Sequence, residues 1–404
     1  MNTHPFKIGV SQRVLSDLQA RLANTRWPDA LAGVGWEQGA DFDYLRELVK
    51  YWQSGFDWRA QEAELNRFHH FRAEIDGAGI HYLHELGQGP QPLPLIITHG
   101  WPGSFAELLK LIPLLADPAR FGEDATDAFD VVAPSMPGFG FSDRPAQPGM
   151  NVWRMADLWV QLMSGLGYER FGAQGGDFGA GVTTILGLNH PGRLLGIHLN
   201  YIPGSYQPDL SAAAAELTEE ERQFLRDADE WFQREGGYAH QQRTKPQTLA
   251  YGLNDSPAAL AAWLLEKFRG WSDCAGEVER RFTKGELLTH VMIYWVTETI
   301  GSSMRLYYEG RQAPLHFQPE QFVSVPCGLA HFPLEEPFPP RSWIERGYNV
   351  RHWTEMPRGG HFAAMEEPHL LAEDIRAFFR PLRDPGGNNC ERRPSPRVPV
   401  ASRS

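Results

Sequence analysis

Cysteine is scarce in this chain. Its 404 residues include only Cys274, Cys327 and Cys390, too few and too scattered for a disulfide framework, and no C-x-x-C pair suggests a zinc ribbon or redox centre. A chain this long buries about three quarters of its unfolded surface and needs no such staple. Long apolar runs are missing too. The most apolar stretch, from Leu287 to Ile300, is interrupted by Thr289, His290, Thr297 and Glu298, and the N-terminus has no basic-then-apolar layout. Neither a membrane span nor a signal peptide is expected, and the cysteine usage fits a reducing, cytoplasmic home. Positive charge is the minority sign, with 38 Lys+Arg against 50 Asp+Glu for a net charge of −12. Such a chain repels phosphate backbones and anionic lipid, so nucleic acid and membrane are not expected partners. The one basic cluster, Arg392, Arg393, Arg397 and Arg403, is interleaved with Pro394, Pro396 and Pro399 and reads as a disordered tail over 384–404.

What is present is an alternation of strands and helices. Ser11 to Arg26 predicts a helix capped by Ser11, striped by Leu15, Leu18 and Leu22 and stopped by Pro28; a second helix runs from Asp43 to Trp52. Phe68 to Ile75 and Ile80 to Leu86 predict a hairpin around Asp76-Gly77. Apolar runs then recur at Leu93–Thr98, Phe129–Ala133, Arg170–Gln174 and Leu194–Leu199, with helical stretches such as Phe105 to Leu115 between them. Continuous apolar strands in βα units imply a mostly parallel sheet covered on both faces. Between Tyr201 and Pro314 the β signal vanishes: Ser256-Pro257 opens a helix through Trp271, and Leu287 to Tyr308 reads as another. Phe322–Pro326 and Tyr348–Trp353 resume the strands, and Phe362 to Phe379 is a closing helix. The expected organisation is an arm and first hairpin (1–90), a first core half (91–202), a helical lid (203–315), a second core half (316–383) and the tail.

In an open α/β sheet, ligands sit at the carboxyl ends of strands, which draws attention to the turns after the apolar runs. In Gly175-Gly176-Asp177-Phe178-Gly179, small residues stand two before and two after Asp177, as a nucleophile elbow requires on a sharp strand-to-helix turn. No serine in the chain has glycine at both offsets, so the one elbow carries a carboxylate. Asp177 could instead simply cap the next helix. What favours the nucleophile is the order that follows: Glu335 after 158 residues (335 − 177) and His361, behind Gly359-Gly360, after 26 more (361 − 335). A carboxylate suits displacement at saturated carbon, because the resulting ester can be cleaved by water at its acyl carbon, whereas a serine would be left as a stable ether. The turn His99-Gly100-Trp101-Pro102 is placed to supply the second half of an oxyanion hole. The next turn, Pro137-Gly138-Phe139-Gly140, has Asp143 where the third glycine of a dinucleotide fingerprint belongs. Neither cofactor nor metal is expected.

Three of these segments, His99 to Pro102, Gly175 to Gly179, and Gly359-Gly360-His361-Phe362 continuing to Pro368, resemble the motifs of α/β-hydrolase-fold epoxide hydrolases of the microsomal type. The segment from Phe6 to Pro28, ending Arg26-Trp27-Pro28, is similar to that group's N-terminal arm, and the resemblance spans about residues 5 to 380. It implies the α/β-hydrolase fold with a helical lid and the conversion of an apolar epoxide plus water to a vicinal diol. It also implies two lid tyrosines that hold the epoxide oxygen: Tyr238, in Glu235-Gly236-Gly237-Tyr238, and Tyr307, in Ser302-Ser303-Met304-Arg305-Leu306-Tyr307, with Tyr308 left as a packing residue. The stretch ending Phe332-Pro333-Leu334-Glu335 aligns Glu335 with the charge-relay acid, although Glu336 adjoins it. The backbone N–H groups of Trp101 and Phe178 fall at the oxyanion hole, and His99, Gly100 and Pro102 at the substrate. Phe178 departs from the tryptophan frequent after the nucleophile, and no counterpart of the vertebrate enzymes' membrane-anchoring segment is expected. A homodimer is compatible with all of this. A haloalkane-type dehalogenase would use the same Asp elbow and histidine with halide-binding donors in place of the tyrosines, and a catalytically silent binding protein would keep the fold without turnover.

Overall fold

The computed structural model describes residues 1–210 and 217–383. The tail expected over 384–404, Cys390 included, lies outside them.

Nine strands form one sheet: β1 (Asn2–Pro5), β2 (His70–Ile75), β3 (Ala78–Glu85), β4 (Leu93–Thr98), β5 (Phe129–Pro134), β6 (Phe171–Gly175), β7 (Leu194–Leu199), β8 (Val323–His331) and β9 (Tyr348–Glu355). Their order is β1-β2-β3-β5-β4-β6-β7-β8-β9. The contacts from β5 through β4 to β9 are all parallel, and β1, β2 and β3 add on antiparallel at one edge. The β2–β3 hairpin turns at Asp76-Gly77, both at positive φ, as the Asp-Gly pair predicts. The central strands are apolar throughout because helices cover both faces: Leu95, Ile97, Val132, Ala173, Ile197 and Leu199 are fully buried.

Four local expectations need correction. Ser11 occupies the cap position of the helix Gln12–Ala23, but its side chain makes no capping hydrogen bond. The run expected to be one helix from Leu287 to Tyr308 is two, Lys284–Thr297 and Ile300–Gln312, broken where Glu298 takes a left-handed φ of 54°. The closing helix is likewise two, Ala363–Glu366 and Pro368–Phe379, because Pro368 cannot continue a helix through its missing N–H. Conversely, β8 runs past Pro326 to His331: the register slips between Val323 and Cys327, so the proline sits in an irregularity where no ladder donor is demanded. Strand β1 escaped the sequence reading because Asn-Thr-His-Pro is polar and too short to show a period.

The lid comprises the helices Glu219–Glu235, Gly237–Thr244, Pro246–Leu253 and Pro257–Gly270, followed by Lys284–Thr297 and Ile300–Gln312. Capping boxes at Thr218/Glu221 and Thr283/Glu286 fix two of the starts. The arm clasps this lid, with Arg21 Nη1 of its first helix 2.6 Å from Asp255 Oδ1. Among the described residues no helix is long and apolar enough to cross a membrane.

Candidate active site

The chemistry-bearing turns meet at the carboxyl edge of the sheet, His99–Ser104 following β4, Asp177 following β6, Glu335 following β8 and His361 following β9. Asp177 opens the helix Asp177–Asn189 at φ 47°, a left-handed conformation that costs a non-glycine residue about 1–3 kcal/mol and marks a position fixed by its surroundings. The need for glycine around it is steric. A Cβ on Gly175 would lie 2.3 Å from the Gly179 carbonyl, and one on Gly179 would lie 2.0 Å from Thr98 O.

That turn brings the carboxylate against the neighbouring loop. The Trp101 N–H donates to Asp177 Oδ1 at 2.8 Å, and the Phe178 N–H also pulls on the carboxylate. Gly100 makes the approach feasible, since a Cβ there would sit 2.4 Å from Oδ1. Oδ2 is left toward His361, 3.7 Å from its Nε2. The other face of the imidazole is held by Glu335, whose Oε1 and Oε2 lie 3.0 and 2.9 Å from Nδ1. Glu336, its neighbour, is exposed and makes no such contact. The His361 N–H donates to the Trp271 carbonyl at 2.9 Å, and a Cβ on Gly360 would strike that same oxygen at 2.6 Å.

Burial governs the ionisation here. It lifts Asp177 above the usual carboxylate range against the opposing pull of His361 and the two N–H groups. Glu335 is raised by burial as well, with His361 again opposing. Burial would lower His361, but the charge and hydrogen bond of Glu335, aided by Asp177 and Glu107, overcome it and push the imidazole up to about 9. Glu107, from the turn after the Trp101 loop, is itself pushed up to about 8 by burial and sits in the field of His361, Asp177 and Glu335.

Above the carboxylate stands an aromatic wall. Tyr238 stacks on Trp101, with centroids 5.4 Å apart and planes at 6°, and Tyr307 meets Trp101 edge-on at 5.6 Å and Phe178 at 4.8 Å. The two tyrosine rings meet at 5.9 Å and 83°. Burial, reinforced by the nearby Asp177 charge, raises both phenols, so they stay protonated at neutral pH. Tyr308 is 42% exposed rather than packed, because the next residue on a helix turns about 100° away from the face that Tyr307 occupies.

Other sequence expectations shift in role. His99 is buried with both ring nitrogens on backbone: Nδ1 is 3.0 Å from Gly100 O, and Nε2 accepts from the Met136 N–H at 3.3 Å. It shapes the turn and has no nitrogen free for a ligand. Pro102 is buried in the same turn, after a cis peptide bond from Trp101. Residues the sequence reading passed over also border the site: Tyr201 at 5.9 Å and Trp271 at 5.0 Å from the His361 ring, and Glu107. Their contacts join distant segments and leave no local pattern, although Tyr201 could have been found just past the end of β7, where this fold places ligand-facing groups. Among the described residues no group of three or more His, Cys, Asp or Glu side chains gathers as a metal site.

The histidine loop is also stitched to the lid. Arg281 reaches Asp273 Oδ2 at 2.7 Å and Glu367 Oε1 at 2.8 Å, Asp273 Oδ2 accepts from the Gly359 N–H at 3.0 Å, and Glu366 Oε2 accepts from the Asp273 N–H at 2.7 Å.

A carboxylate on a strand-to-helix elbow, two main-chain N–H groups upon it and a carboxylate-backed histidine match the site of a hydrolase of the α/β-hydrolase fold. Comparison with known proteins narrows this further. Residues 3–108 match the family described as epoxide hydrolase N terminus, and residues 94–256 match the alpha/beta hydrolase fold. A protein of Stigmatella aurantiaca (strain DW4/3-1) is 46% identical over 380 residues, 94% of this chain and 85% of that one. Epoxide hydrolase 1 of Sus scrofa is 38% identical over 399 residues, covering 93% of this chain and 88% of its own length. The solved structure of Aspergillus niger epoxide hydrolase superposes with a TM-score of 0.82 at 29% identity, covering 95% of this chain and 97% of that one. The chain belongs to the epoxide hydrolases of the microsomal type.

Proposed function

We propose that this enzyme opens an apolar epoxide through a covalent ester on Asp177. The observation that carries the reading is the division of labour between the two carboxylate oxygens: Oδ1 is held by the Trp101 N–H, and Oδ2 faces His361 Nε2 at 3.7 Å. Oδ2 attacks an epoxide carbon while Tyr238 and Tyr307 hold the ring oxygen, and a phenol gives up its proton as the C–O bond breaks. Oδ1 thereby becomes the carbonyl oxygen of the ester, already seated on the Trp101 N–H that would stabilise it as an oxyanion.

Ester formation also changes the histidine. The Asp177 charge is one of the groups raising His361, and esterification removes it, so the imidazole moves toward the neutral form needed to take a proton from water. Glu335 orients the ring. Water attacks the acyl carbon, the diol leaves with a proton from His361, and the proton remaining on the Asp177 carboxyl returns to the phenolate. No cofactor enters this cycle.

The ring of Trp101, Phe178, Tyr201 and Trp271 around the nucleophile supports an aryl or alkyl oxide as substrate, consistent with clearance or catabolism of aromatic compounds by a cytoplasmic enzyme. A single turnover in ¹⁸O-water tests the ester. The expected first diol carries an oxygen from Asp177 and the label enters the enzyme; a first diol labelled from solvent overturns the route. Styrene oxide, a terminal aliphatic epoxide and a trans-disubstituted epoxide, compared by kcat/KM, test the substrate class.

One observation favours a second reading, halide displacement by the same carboxylate: the indole N–H groups of Trp101 and Trp271 are buried without a partner and are uncommitted donors. Halide release unaffected by Tyr238→Phe and Tyr307→Phe would establish it.

A further inference from the structure

Lys267 sits on the lid helix Pro257–Gly270 and is only 4% exposed, an unusual place for an ammonium. Its carboxylate partner is the adjacent Glu266. Its Nζ lies over the Tyr238 ring, 4.6 Å from the centre, and 5.7 Å from the centre of Trp271. Tyr238 in turn stacks on Trp101, whose N–H holds Asp177. The cation is thus one ring away from the oxyanion turn.

We infer that Lys267 is a positioning residue for the Tyr238 acid, fixing the ring and stabilising the negative charge that reaches its oxygen as the epoxide opens. The inference rests on the reading of Tyr238 as a proton donor. In the step concerned, the Asp177 Oδ2–carbon bond forms and the epoxide C–O bond breaks, with the proton passing from Tyr238 Oη to the epoxide oxygen. The O–H electron pair stays on the phenol. A phenolate created in this buried pocket, with Glu335 nearby, needs a cation close by. Arg243, on the tyrosine's own helix, also favours the ionised phenol, and Lys267 adds a cation over the face of the ring, whose attraction to the π-system grows as the ring gains charge. The cation has no direct contact with Glu335 or His361 among the interactions of the described residues and reaches the histidine only through Trp271, so its effect should fall on alkylation and not on ester hydrolysis.

The test is step-resolved kinetics with styrene oxide, following formation and decay of the alkyl-enzyme in the wild type, K267M, K267R, Y238F and the K267M/Y238F double variant. K267M is expected to slow alkylation about tenfold while ester decay keeps its wild-type rate, and K267R, which keeps the charge, recovers most of the loss. In the Y238F background the lysine substitution should have little further effect, because its route to the chemistry is gone. If K267M does not fold, K267Q carries the same expectation. Normal alkylation in K267M beside a slowed Y238F overturns the inference alone, as does equal slowing of both steps or full additivity in the double variant. Normal alkylation in Y238F overturns the reading of Tyr238 itself.

Discussion

Asp177 and its donors are fixed by backbone, whereas Tyr238 and Tyr307 are fixed by the faces and edges of other rings. On the sheet side, glycines with no room for a Cβ, a left-handed φ at Asp177 and a 2.8 Å hydrogen bond from a main-chain N–H define the position of the Asp177 carboxylate. On the lid side, Tyr238 and Tyr307 share ring contacts at 4.8 to 5.9 Å with Trp101, Phe178 and each other. Main-chain donors tolerate little displacement, which suits the proposed acyl chemistry, the same for every substrate. Stacked rings shift at smaller cost, which suits the role proposed for the two tyrosines, meeting an epoxide oxygen whose position varies with the rest of the substrate.

The comparison can be broken first on the sheet side. His361→Gln is expected to lower turnover by about 10³-fold or more while alkylation persists, so that an enzyme-bound ester accumulates and appears as added mass in intact-protein mass spectrometry. Absence of the adduct would mean that the histidine serves the first step as well. On the lid side the effects are smaller and fall on the other step: Tyr238→Phe and Tyr307→Phe should each slow alkylation by about 10- to 100-fold and leave ester decay untouched, measured by single-turnover quench. A smaller effect still separates the two halves by pH. Because His361 is pushed up to about 9 and must be neutral to act as base, hydrolysis-limited turnover should rise with pH, with a midpoint below 9 once the Asp177 charge is lost to the ester. Glu335→Gln removes the main group raising the imidazole and should move that midpoint downward; an unmoved midpoint would assign the titration to another group.

The same contrast explains what could be read from the chain alone. The elbow was legible because Gly175 and Gly179 answer to local sterics within five residues, and so was the hairpin turn at Asp76-Gly77. Glu335 was favoured over Glu336 through family resemblance, and the physical difference between them is three-dimensional: one is buried against His361 and the other faces solvent. Tyr238 and Tyr307 were reached through family resemblance, since a stacking contact between a lid helix and the Trp101 loop has no spacing signature. Lys267 and Trp271 were invisible for that reason. The helix break at Glu298 was hidden because no glycine or proline marks Thr297-Glu298-Thr299, and the extension of β8 by a proline that ordinarily ends a strand.

The ion-pair and hydrogen-bond stitch from Arg281 and Asp273 to Glu366, Glu367 and Gly359 bears on how this enzyme could diversify or be re-engineered. A lid exchanged wholesale between relatives would carry off Trp271, Asp273 and Arg281, leaving the histidine loop without the carbonyl, carboxylate and guanidinium that set its shape. The residues from 271 to 281 therefore travel with the core although they lie within the lid. The earlier helices, Glu219 to Leu253, stand apart from this stitch but are tied to the core elsewhere, through buried Glu221 paired with Arg346 at 2.9 Å, so a graft there must keep that carboxylate and return a phenol to the place of Tyr238.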